Sequence, residues 1–146
     1  MAVPGMVEEE LALIKSALLL KFVRHVFQRD ARILEQSGVL KSPEIYVEMI
    51  QGGEQRAALV LSEIQSEFRK RNIKLYQIRQ DENGIWADYT CRGYRGEMRI
   101  LWSGLRHEIN SRMRAYLAGN APKRVRQQPS RRTNSEVRGL SNKPLK

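Results

Sequence analysis

A chain of 146 residues, 41% of them hydrophobic, is long enough for one domain that holds itself together without disulfides or metals. Its single cysteine, Cys91, cannot form an internal disulfide, and no Cys/His cluster has zinc-ligand spacing, which excludes a disulfide scaffold or zinc finger and points to a cytoplasmic setting. The net charge of +10 points to a polyanionic partner, either nucleic acid or an anionic surface.

The N-terminus does not read as a secretory signal, because Glu8, Glu9 and Glu10 stand where such a signal is basic and no small-residue cleavage site follows the apolar run. That run, Leu11 to Val23, is interrupted by Lys15 and Lys21 and falls short of the roughly 20 residues that span a bilayer. No membrane span is expected. Leu11, Leu18, Leu19, Phe22, Val23, Val26 and Phe27 cover more than half the circumference of a helix over residues 7–28. So wide an arc needs cover on several sides, from its own core or from a second copy in a homodimer.

"SGVLKSP" breaks the pattern, and Ser42-Pro43-Glu44 then supplies an N-cap, a proline at the first helical position and a favourable first-turn acid. A short helix over 42–50 is predicted, ended by Gly52 and Gly53. A third helix over 54–70 places Ala57, Leu61, Ile64 and Phe68 on one face.

Ile73 to Cys91 reads as an antiparallel hairpin, since Asn83-Gly84 is a strong type I′ turn signal between flanks rich in Ile, Tyr, Trp and Thr. A two-residue loop there puts Tyr76 and Ile78 on the apolar face with Ile85, Ala87, Tyr89 and Cys91. It sets Arg79 opposite Asp88 on the other face, which also carries Trp86. "RGYRG" then connects to a last helix over 97–118, with Met98, Leu101, Trp102, Leu105, Ile109, Met113 and Leu117 at three- and four-residue steps.

The expected fold is therefore α+β and mostly helical, with three helices, one hairpin and a final helix in a single domain over 1–118, an order compatible with a winged helix. Residues 119–146 have three prolines, no aromatic residue and no periodicity, the composition of a disordered tail. The tail carries eight Lys or Arg against Glu136 alone, so most of the excess charge is there.

Two groups of residues are candidates for holding phosphate. In the tail they are Lys123, Arg124, Arg126, Arg131, Arg132 and Arg138. In the domain, Arg92, Arg95 and Arg99 are expected beside the N-terminus of the last helix, whose free N–H groups favour an anion, while Arg79 and Trp86 sit on the exposed hairpin face where an indole can stack on bases. The expected function is association with DNA or RNA, mainly through phosphates. Carboxylates at Glu54, Glu63 and Glu67 count against the second predicted helix of the pair as a reader of base sequence. The competing class is an adaptor that binds an acidic protein through the apolar first helix and the tail. Catalysis is not expected. Only His25 and His107 are available, and Cys91 on the apolar face reads as an inert thiol. Nothing calls for a cofactor.

Overall fold

The computed structural model describes residues 7–119; the predicted disordered tail lies, from residue 120 on, outside the described residues. The chain is α+β and mostly helical, in the order α1 (Glu8–Ser37), α2 (Pro43–Arg71), β1 (Ile73–Gln80), β2 (Gly84–Cys91), β3 (Tyr94–Leu101) and α3 (Trp102–Leu117).

In α1, Leu13, Ile14, Ala17, Leu18, Leu19, Leu20 and Val23 are at most 2% exposed. Successive helical residues point about 100° apart, so burial of four in a row means that the helix is covered all round. The cover comes from Ala57, Leu61, Ile64 and Phe68 of α2, from Ile73, Ile85, Ala87, Tyr89 and Cys91 of the sheet, and from Leu105, Ile109 and Tyr116 of α3, which join α1 in one cluster. The helix continues past Gln28 through a stretch composed mostly of good helix formers and ends at Gly38 in a left-handed conformation (φ 72°).

Two long helices replace the three predicted before the hairpin. Pro43 opens α2 at its first position as the sequence predicts, and Ser42 stands at the N-cap without a side-chain capping hydrogen bond, but the helix runs unbroken through Gly52-Gly53 to Asn72, whose left-handed conformation closes it. Gly53 is buried where a Cβ would stand 3.2 Å from Leu117 Cδ2 and 3.3 Å from Phe27 Cε2. Its role is close helix approach, not a turn, and the pairs Arg24–Glu54 and Arg71–Glu9 show α1 and α2 running antiparallel. No helix-turn-helix is therefore formed by the described residues.

The hairpin is the first half of a three-stranded antiparallel meander, β1-β2-β3. Its turn differs from the expected one. Asp81 N–H donates to the Gly84 carbonyl at 3.0 Å, and Asp81 Oδ1 accepts from the N–H groups of Asn83 (2.8 Å) and Gly84 (3.2 Å). Neither Asn83 nor Gly84 has positive φ. The aspartate side chain closes this loop, and Gly84 is needed because a Cβ there would collide with the Ile100 carbonyl oxygen. Arg79 consequently faces Trp86, while Asp88 faces Tyr76. Between those pairs Gln77 and Ile78 oppose Ala87 alone, a bulge with Gln77 at φ 52° that reverses the alternation and moves Tyr76 to the outer face.

The two-residue turn with positive φ at both positions lies instead at Arg92-Gly93 (52° and 89°), joining Cys91 to its partner Tyr94. The final helix starts late for the same reason. Residues 94–101 form β3, with Tyr94, Gly96, Met98 and Ile100 opposite the core-facing positions of β2. Trp102 opens α3, packs at a tilt against Phe22 with ring centres 5.0 Å apart, and its indole N–H donates to the Asp81 carbonyl at 2.7 Å.

An unbroken α2 makes opposite forecasts for neighbouring glycines. Gly52→Ala, whose Cβ meets only the mobile end of Arg56, is expected to raise stability by about 0.5–1 kcal/mol. Gly53→Val forces Phe27 and Leu117 apart and is expected to cost about 1–3 kcal/mol. Urea unfolding of the two variants checks this; equal effects would contradict the close helix contact.

Candidate nucleic-acid interface

The core occupies one face of the sheet, and among the described residues nothing packs over the other. Three cross-strand rows lie on the outer face: Lys74–Thr90–Arg95, Tyr76–Asp88–Glu97 and Arg79–Trp86–Arg99. In the third row the Arg79 guanidinium carbon is 5.5 Å from the centre of the Trp86 ring and that of Arg99 is 5.3 Å from it. Both distances fall inside the range of cation–π attraction. Arg79 also reaches Glu97 at 3.8 Å, both side chains being about half exposed, so that contact is largely screened by water. Four of the predicted site residues, Arg79, Trp86, Arg95 and Arg99, thus share one face. Lys74 and Tyr76, which the sequence pattern does not single out, complete it. Tyr76 is hidden by the bulge, but the alternation of Lys74 with buried Ile73 is readable.

Arg92 does not belong with them. It sits in the β2–β3 turn, far along the chain from the start of α3, and its guanidinium grips Glu10 through two hydrogen bonds of 2.8 and 3.1 Å. Arg95 and Arg99 lie on β3, so the expected cluster of three arginines at a helix N-terminus is not formed. Glu10 is 4% exposed and also accepts the Val7 N–H, while Arg71 lies 3.7 Å away and binds Glu9 and Glu67. This network fastens the start of α1 to the end of α2 and to the β2–β3 turn. The Arg92 guanidinium, opposed by burial, holds the Glu10 carboxyl below its ordinary pKa. Burial, with the charge of Glu10 close by, pushes the Cys91 thiol upward, and the side chain is fully enclosed. The candidates Lys123, Arg124, Arg126, Arg131, Arg132 and Arg138 lie outside the described residues.

Beside the sheet, a groove of about 410 Å³ between α1, α2 and β1 has an apolar floor that includes Leu61, Phe68 and Ile73, and cations Lys21, Arg69 and Lys74 along its rim. Lys74 therefore borders both surfaces. Among the described residues no group of three His, Cys, Asp or Glu side chains is placed to hold a metal, and no helix is long and apolar enough to cross a membrane.

A three-stranded sheet with one bare face, backed by a helical hairpin and a third helix, defines a small α+β protein whose exposed sheet carries aromatic and cationic side chains together. The chain belongs to the YhjD protein family, whose profile matches residues 6–121. It is 29% identical over 114 residues to the protein YhjD of Bacillus subtilis (strain 168), an alignment covering 78% of this chain and 94% of the relative. No solved structure matches the chain.

The buried Glu10 pair yields a stability forecast. Glu10→Gln is expected to cost about 1–3 kcal/mol at pH 7, the half-exposed Arg92 limiting the loss. A carboxylate whose folded pKa is depressed stabilises above its unfolded pKa of about 4.3, and the stabilisation disappears as pH falls through the folded value. The gap between Glu10→Gln and the parent chain should therefore close in acid, as urea unfolding at stepped pH will show.

Proposed function

We propose that this protein associates with single-stranded DNA or RNA, holding it across the outer face of the sheet and adding phosphate contacts from the basic C-terminal segment. The observation that carries the reading is the Arg79–Trp86–Arg99 row: a half-buried indole on the outer face of the central strand with a guanidinium on either neighbouring strand. An unstacked base is attracted to an aromatic face whatever its identity, and each guanidinium can turn from the ring to a phosphate oxygen. Duplex reading by a recognition helix has no support from the unbroken α2. The reading is of a binding protein without catalytic machinery.

A second reading, docking of a protein partner, no longer draws on the first helix, whose apolar arc is spent in the core. It draws on the far end of the α1–α2 hairpin, where Ile33, Val39, Ile45, Tyr46 and Met49 are each exposed.

The test is anisotropy titration of a labelled mixed-sequence single strand with the full chain. Trp86→Ala should weaken binding by about tenfold or more, the worth of one stacked base, with Trp86→Phe intermediate. A chain ending at Gly119 should bind more weakly, its log–log salt slope flattened by about 0.7 for each phosphate that the removed segment would have neutralised. Unaltered affinity in Trp86→Ala and in an Arg79→Ala/Arg99→Ala variant would remove the sheet from the reading, and an unaltered slope on truncation would remove the tail.

A further inference from the structure

The two edges of the sheet are treated differently. The edge of β1 is interrupted by the bulge at Gln77-Ile78, a common device against further pairing. The edge of β3 has no such protection: eight residues run from Tyr94 to Leu101, without proline, paired in unbroken register with β2. Because Cys91 and Tyr94 close a two-residue turn, they form a hydrogen-bonded pair. Tyr94, Gly96, Met98 and Ile100 therefore spend their backbone groups on β2, and Arg95, Glu97 and Arg99 turn theirs to the open edge. Among the described residues those outward groups have no partner.

Charged side chains on an edge usually repel a second strand. Here their signs alternate, Arg95, Glu97, Arg99, so the edge can match a copy of itself in a chosen register. We propose that two copies of this chain pair antiparallel along β3, with the twofold axis at Met98, to make one continuous six-stranded sheet. In that register Glu97 lies opposite Arg99 of the second copy and the reverse, each pair exchanging two backbone hydrogen bonds. An axis at Glu97 would instead oppose Glu97 to itself and Arg95 to Arg99. An axis at Gly96 would run Arg99 past the end of the strand onto Gly93. Only the Met98 axis satisfies both charge and length. It also sets Met98 against its own copy and Ile100 against Gly96 on the inner side, covering side chains now half exposed. Residues on the two long helices are not needed for the contact.

The proposal does not rest on nucleic-acid binding, and it is tested without nucleic acid. Sedimentation equilibrium of the nuclease-treated full chain should show a monomer–dimer equilibrium. Glu97→Arg or Arg99→Glu replaces attraction by repulsion at two symmetric places, so each should raise the dimer dissociation constant about tenfold or more. The combined Glu97→Arg/Arg99→Glu variant restores complementary signs and should return the constant to within about threefold of the parent. Melting curves of the same variants check that each remains folded. In a separate Met98→Cys variant, mild oxidation should link two chains, since facing positions of a non-hydrogen-bonded pair are within disulfide reach. A strictly monomeric chain, a dimer indifferent to both reversals, a double variant as weak as the singles, or failure of the Met98→Cys variant to cross-link as a dimer would each overturn the proposal.

Discussion

Covering α1 on every side is the constraint from which the rest of the architecture follows. Each fully buried leucine in its middle contributes about 1.5–3 kcal/mol relative to exposure, so an uncovered side would cost several kcal/mol. One antiparallel helix can cover only part of the circumference. The sheet and α3 must take the remainder, which commits Ile85, Ala87, Tyr89 and Cys91 to the inside and fixes the strand register. Among the described residues no further element is left to cover the outer face of the sheet. A half-buried tryptophan between two arginines on that face is a consequence of topology before it is a candidate for function.

Helical periodicity was legible wherever one face carried the burial. Ala57, Leu61, Ile64 and Phe68 are all buried, as are Leu105 and Ile109. It misled where two explanations share one residue pattern. Paired glycines mark turns more often than close helix crossings, and only the positions of Phe27 and Leu117 in space reveal which applies to Gly53. Met98, Leu101 and Trp102 fit a helix by their spacing, yet Gly96, Met98 and Ile100 fit a strand equally well; the turn at Arg92-Gly93 decides for the strand. The position of Arg79 on the outer face survived a wrong turn because its true pairing differs from the expected one by two residues, which preserves the side of the sheet. Tyr76, beyond the bulge, did not survive it.

Counting charges in sequence also overstates how many are available. Arg92 and Arg71 are drawn into the Glu10 network, Arg24 is held by Glu54 at 2.7 Å, and Arg56 donates to the Tyr116 carbonyl at 2.6 Å. These arginines join elements distant in sequence and cannot turn to a phosphate without loosening the fold. The "RGYRG" stretch divides along this line: its first arginine is structural, while Arg95 points from the exposed face. Nothing in the local sequence separates them, since the distinction depends on Glu10, some 80 residues away.

Of the three outer rows, only the middle one is acidic, with Asp88 and Glu97 between the cationic rows. A phosphate backbone is repelled there, so contacts with Lys74–Arg95 and with Arg79–Arg99 must be made from opposite sides of a carboxylate pair. On β2 the flanking rows are four residues apart, about 13 Å along the strand. Edge pairing of two copies bears directly on this field. It would set the Glu97 carboxylate of one copy against Arg99 of the other, satisfying the repulsive group but also engaging a guanidinium that the proposed function assigns to phosphate. The two proposed contacts thus draw on the same side chain. A ligand that takes Arg99 weakens the edge by as much as edge pairing weakens the ligand, because coupling between two binding equilibria is reciprocal. Under the two proposals, single-stranded nucleic acid and self-association compete for Arg99, whereas Arg79, on the far strand, takes no part in the edge contact.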